Sequence, residues 1–249
     1  MKQVLSAIAL IAALGSPSFA QSDGGSLRFP SIFGIPSALP APGGSGYVGL
    51  VLVHPRRDTE DRSDPINQAD GDLLLGYTFG NPVRGVSAHV GATITSLIGF
   101  ADDGALQASL SRALHVSESS ATFAGVSATN VAAWGDAADS PPAYAAYLSH
   151  LFTVNGGRGE MPVQLTIGYG DHAATADGSG INDQEPFVGI GVGVSQSINL
   201  SLSGTTKELY AGMGFGLRKL PRWNFSLGVF DVTQAQGHRQ LALTIARGF

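Results

Sequence analysis

Arg239-Gln-Leu-Ala-Leu-Thr-Ile-Ala-Arg-Gly-Phe249 sets Leu241, Leu243, Ile245 and Phe249 on one parity and Gln240, Thr244 and Gly248 on the other. Side chains alternate across an extended strand, so this spacing predicts a strand with one apolar face. The same period recurs upstream. Leu73, Leu75, Tyr77 and Phe79 share a parity, as do Val86, Ala88, Val90, Ala92 and Ile94. Val188, Ile190, Val192 and Val194 interleave with Gly189, Gly191 and Gly193, and Leu209, Ala211, Met213, Phe215 and Leu217 with Tyr210, Gly212, Gly214 and Gly216. From Gly46 onward twelve strands are expected, with ten or fourteen as the alternatives, over 46–54, 71–80, 84–97, 104–116, 121–134, 143–154, 161–170, 186–195, 197–204, 208–218, 223–233 and 239–249.

The other end is built differently. Residues 1–20 have the parts of a secretory signal: Lys2, an apolar core from Val4 to Leu14, and Ser18-Phe-Ala20 as a small-x-small cleavage site. No apolar run reaches the about 20 residues of a helical span. With no cysteine the chain needs no disulfide and has no route to a lipidated cysteine or a thiol mechanism. Charged residues are 13% of the chain, about half the share usual in soluble proteins, which fits a wall with one face in hydrocarbon. Residues 21–44 are rich in Pro and Gly around Phe29, Ile32, Phe33 and Ile35; they are expected to be either a lead-in or a plug lining the lumen.

The connections alternate. Long ones are expected at 55–70, 98–103, 135–142 and 171–185, short ones at Asn81-Pro-Val83, Asn155-Gly-Gly-Arg-Gly-Glu160 and Pro221-Arg222. An even strand count with short turns at one end and long loops at the other is the pattern of a transmembrane barrel. On this topology Phe79, Phe152, Trp223 and Phe249 form one aromatic belt, and Trp134, Tyr144 and Tyr169 the other.

The export signal, the alternating strands and the final Phe249 together resemble the outer-membrane β-barrel proteins of Gram-negative bacteria, in the manner of a small porin-like barrel. The resemblance implies an all-β, antiparallel up-and-down barrel over residues 45–249, seated in the outer membrane. It implies outer-membrane lipid and the barrel-assembly machinery as partners, the latter reading the last strand. Arg247 departs from that family's pattern, in which the residue two before the final Phe is commonly aromatic or apolar.

Charge sorts by end. The long connections and their margins carry Asp58, Glu60, Asp61, Asp64, Asp102, Asp103, Asp171, Asp177, Asp183 and Glu185, an acidic mouth that would draw cations and repel anions. The short-turn end carries Arg84, Arg112, Arg158, Arg218, Lys219, Arg222 and Arg247. No basic and aromatic patch at the mouth suggests a nucleic-acid partner. Arg112 and Arg247 fall on the lipid-facing parity late in their strands, where arginine costs about 0–1 kcal/mol rather than the about 2–4 kcal/mol of the midplane.

The inward parity offers His89, Gln107, Ser109, His115, Gln164, Asn199, Tyr210 and Asn224 as lumen-lining residues among many Gly, Ser and Ala. Small inward residues leave two readings, a water-filled lumen or one filled by another segment. No catalytic residue, metal site or cofactor is expected. The His-x-Ser-Asn-Gly segment of barrel phospholipases is missing, and Asp102-Asp103 with Asp171-His172 only thinly echoes the acid pairs of barrel proteases. Asp177–Glu185 does not follow the EF-hand pattern. The expected function is a passive porin-like channel for small polar or cationic solutes. The alternatives are a non-conducting structural or surface-interaction barrel, a soluble periplasmic β protein, and a barrel hydrolase.

Overall fold

A computed structural model describes residues 30–55, 70–95, 97, 100–156, 159–171, 184–235 and 239–249. Thirteen strands form: β1 (Ser45–His54), β2 (Asp70–Gly80), β3 (Ser87–Thr95), β4 (Asp103–Val116), β5 (Ser120–Thr129), β6 (Ala133–Trp134), β7 (Ala143–Gly156), β8 (Gly159–Gly170), β9 (Glu185–Gly193), β10 (Ile198–Thr205), β11 (Leu209–Leu217), β12 (Leu220–Phe230) and β13 (Gln240–Gly248). β6 pairs only with Gly104 and Ala105 of β4. The other twelve each pair antiparallel with two neighbours, and the sheet closes where β1 meets β13 with Tyr47 opposite Gly248 and His54 opposite Leu241. Gly46 N–H donates to the Phe249 carbonyl at 3.0 Å and Phe249 N–H to that of Gly46 at 2.9 Å, completing the seam. Closure leaves none of these twelve strands with an unpaired edge.

The expected alternation decides which side chains face out. Leu75, Tyr77 and Phe79 of β2 and Leu241 of β13 are exposed on the outside, while Asp72, Leu74 and Thr78 on the intervening parity are buried within. Phe79, Phe249, Trp223 and Phe152 lie towards the end where β1 begins, and Trp134, Tyr144 and Tyr169 towards the opposite end. Among the described residues no helix is long and apolar enough to cross a membrane, a statement that leaves crossing by strands open.

Three details depart from the sequence reading. The fifth strand ends at Thr129 instead of continuing to 134. There Asn130 takes φ +55°, and its side-chain amide donates to the carbonyls of Ala137 at 3.3 Å and Pro141 at 3.4 Å, and also to that of Ser140. The loop that follows folds over the rim through β6 and a 3-10 turn at Gly135–Asp139. The turn before β12 lies ahead of Leu220, so Pro221 and Arg222 belong to the strand. Finally, a bulge in β4 leaves Leu114 unpaired, with Ala113 opposite Phe123 and His115 opposite Thr122. An extra residue reverses the parity beyond it. Phe123 is buried in the lumen, so Thr122 and its partner His115 face outward. His115 is thus corrected from lumen wall to outer surface.

Candidate functional site in the barrel lumen

A barrel of one layer has its core inside the lumen, and here the core includes a stretch of chain that belongs to no strand. Ile32, Phe33, Ile35 and Ala38 are 0–6% exposed and join Tyr47, Val51, Phe123, Tyr147, Phe187, Tyr210 and Phe230 of the wall in one apolar cluster. Of the two expectations for residues 21–44, residues 30–41 lie inside the barrel and 42–44 are exposed where the chain enters β1; residues 21–29 fall outside the described residues.

The path follows from the contacts. Gly44 N–H donates to the Thr78 carbonyl at 2.7 Å, at the end where β1 begins. Residues 41 to 39 pass a cavity of about 10 Å³ lined by Thr78, Ser87, His89, Ser109, Ser111 and Tyr147, a volume at the lower limit for one water. The chain then crosses to Ser149, bends at Gly34 (φ +88°) beneath Tyr210, and returns so that Ser31 meets Asn199 near the start of β10. It makes an inverted U, entered from the end that carries the short turns.

Buried backbone needs hydrogen-bond partners, and a segment outside the sheet has no ladder to supply them. Wall hydroxyls do so instead. Ala38 N–H donates to Ser149 Oγ at 2.9 Å, and Ser111 Oγ donates to the Ala38 carbonyl at 2.7 Å. Phe33 N–H donates to Ser201 Oγ at 3.1 Å, and Ser203 Oγ donates to the Phe33 carbonyl. Gln164 Nε2 donates to Ser37 Oγ at 2.7 Å and to Thr166 Oγ1 at 3.1 Å.

Apolar seating comes from missing side chains. A Cβ on Gly189 would stand 2.7 Å from both Ile32 Cγ2 and Ile35 Cδ1, and one on Gly212 or Gly228 would fall under 3.0 Å from Phe33. The Phe33 ring also packs on Phe230 at 4.6 Å between centroids. These inward glycines are the groove in which the segment lies. Burying a side chain the size of Phe33 contributes about 1.5–3 kcal/mol.

The residues singled out for the lumen distribute around this segment. His89 is buried, its Nδ1 3.1 Å from Thr78 Oγ1, its ring parallel to Tyr47 at 5.7 Å. Ser109 lines the small cavity opposite Ser127, and Gln107 lies over Gly91. Gln164 and Tyr210 are fully buried, the first on Ser37 and the second against Gly34 and Phe230. Asn199 accepts from Gly214 N–H at 3.1 Å, and Asn224 is on the inner parity opposite Ala246. Sequence reading missed Ser111, Ser149, Ser201 and Ser203 as anchors, since serine on an inward parity carries no local mark of a bonded partner.

At the opposite end Asp102 is exposed, and Asp103 accepts from Asp136 N–H at 2.6 Å. Asp171 accepts from Tyr144 N–H at 3.4 Å, which ties the end of β8 to the start of β7. Glu185 is buried and accepts from the Thr206 N–H at 3.1 Å and from its hydroxyl, tying β9 to the turn after β10. Asp58, Glu60, Asp61, Asp64, His172, Asp177 and Asp183 lie outside the described residues. Among the described residues no three His, Asp or Glu converge as metal ligands.

Neither a protein-family model nor a curated protein sequence matches the chain. Solved structures do. The KdgM porin aligns with a TM-score of 0.52 at 10% identity over 82% of this chain and 99% of its own. The KdgM porin in complex with disordered oligogalacturonate gives the same score and identity, with 98% of its own chain covered. The Acinetobacter baumannii outer membrane protein Omp33 aligns at 0.48 and 8% identity over 82% of this chain and 97% of that one. At such identities the likeness is one of architecture, and the chain has the closed-barrel fold seen in the KdgM porin.

Proposed function

We propose that the protein is an outer-membrane channel for small polar or cationic solutes, narrowed at mid-height by residues 30–43. The observation that carries this is the manner in which the segment is held. It forms no β-ladder with the wall, and its anchors are side-chain hydrogen bonds and apolar contacts. A segment bound that way is separable from a wall that closes without it. The apolar exterior supports a membrane setting, and the acidic loops expected at the far end support a preference for cations.

Recording from the full chain in planar bilayers tests the proposal. Small cation-selective steps are expected; absence of conductance in both the full chain and a chain lacking residues 30–43 refutes it. A silent full chain with a conducting deletion instead supports a barrel closed at rest. The second reading, a permanently filled structural barrel, is favoured by the full burial of Ile35 and Ala38. It predicts that the deletion lowers stability and opens nothing. Fractionation to the soluble periplasm refutes the membrane setting altogether.

A further inference from the structure

The outer face is apolar over most of its described extent, which makes one polar grouping on it stand out. Arg112 and His115 of β4, Thr122 of β5 and His150 of β7 all point outward. Arg112 is exposed and pairs across to Ala124; His115 pairs with Thr122, and Thr122 with His150. Strands lie about 4.8 Å apart, so His115 and His150 flank Thr122 at roughly 10 Å from each other. Arg112 sits one bulge away on the same strand, within reach of its own flexible stem.

We infer that Arg112, His115 and His150 form a binding site for the phosphate of a membrane glycerophospholipid. His115 is present only because the bulge at Leu114 turns it outward. Thr122 Oγ1 lies 2.8 Å from His150 Nδ1; with the hydroxyl donating, Nε2 carries the hydrogen and is the ring's remaining donor. The His150 ring is steadied by Phe152, stacked at 5.4 Å. Arginine offers a planar fork matched to phosphate oxygens. Among the described residues Arg112 has no ion-pair partner, whereas Arg247, on the outward parity of β13, lies over the Trp223 ring at 6.0 Å. The site is close to the strand ends that carry the short turns, where phospholipid headgroups meet a barrel wall. A diacyl lipid fits better than a free anion, because Leu110, Val126 and Leu148 on the same face continue the surface up from the polar group for acyl chains to lie on.

This inference rests on the membrane setting, and the two fail separately. A chain that does not float with vesicles refutes the setting; an embedded barrel that holds no lipid refutes only the site. The test is native mass spectrometry of the full chain in detergent, titrated with phosphatidylglycerol. Wild type is expected to retain one lipid, and Arg112→Gln/His150→Gln to retain it about tenfold more weakly. Arg247→Gln is the control and keeps wild-type retention. Equal retention by the double variant, or equal loss in Arg247→Gln, overturns the site. So does complete displacement by millimolar inorganic phosphate, which marks an anion site with no use for the lipid. Folding is checked by the heat-dependent gel shift of a closed barrel; should the double variant fail that check, His150→Gln alone is read against the same criteria.

Discussion

The Phe33 ring lies 4.6 Å from that of Phe230, in the space that a side chain on Gly228 would fill. A residue of the lumen segment and a residue of the wall nearly 200 positions away in the chain are thus fitted to each other through a glycine between them.

Removing the ring should loosen the segment. Phe33→Ala deletes a buried aromatic, a change that costs about 3–5 kcal/mol in a packed core. The wall keeps all its ladders, so the loss falls on docking rather than on barrel closure. Larger single-channel steps than wild type are expected; unchanged conductance argues that the segment does not limit passage.

Filling the groove should do the same from the other side. Gly212→Leu puts a side chain where Phe33 Cβ lies. The chain has no cysteine, so Ser37→Cys, at a half-buried position seated on Gln164, is a clean reporter of docking. Maleimide is expected to label Ser37→Cys slowly and the Gly212→Leu/Ser37→Cys pair rapidly. Equal rates mean that the segment stays seated.

Depth on the outer face should govern the cost of charge. Leu243 and Arg247 share the outward parity of β13, with Arg247 near its end and over Trp223. Leu243→Arg is expected to destabilise the folded barrel by about 2–4 kcal/mol and Arg247→Leu to change it by less than about 1 kcal/mol. Urea unfolding in lipid vesicles measures both, and equal effects would remove the assigned membrane depth.

The acids of the far loops should set selectivity. Replacing Asp58, Glu60, Asp61, Asp64, Asp177 and Asp183 by their amides is expected to lower the cation-to-anion permeability ratio, read from the reversal potential in a salt gradient. High salt should shrink the difference, since exposed charges are screened beyond about 10 Å at 0.1 M. A ratio unaffected by the substitutions places selectivity elsewhere in the lumen.

Strand number, inside and outside, and the alternation of turns and loops were legible in residues 45–249 because a strand's side-chain period is local. Leu73, Leu75, Tyr77 and Phe79 announce their face to one another within seven residues, whatever the rest of the chain does. The reversal at His115 was hidden, since a bulge is a mismatch between two strands and neither one shows it alone. The lumen segment was legible only as one of two alternatives, lead-in or plug, and its seating was hidden for a stronger reason. Its apolar residues and the inward glycines are each visible, but what joins them is contact across nearly 200 positions, as between Gly228 and Phe33. Sequence determined the wall; the tertiary structure decided what occupies it, because only closure of the barrel brings the Gly189, Gly212 and Gly228 groove around Ile32, Phe33 and Ile35.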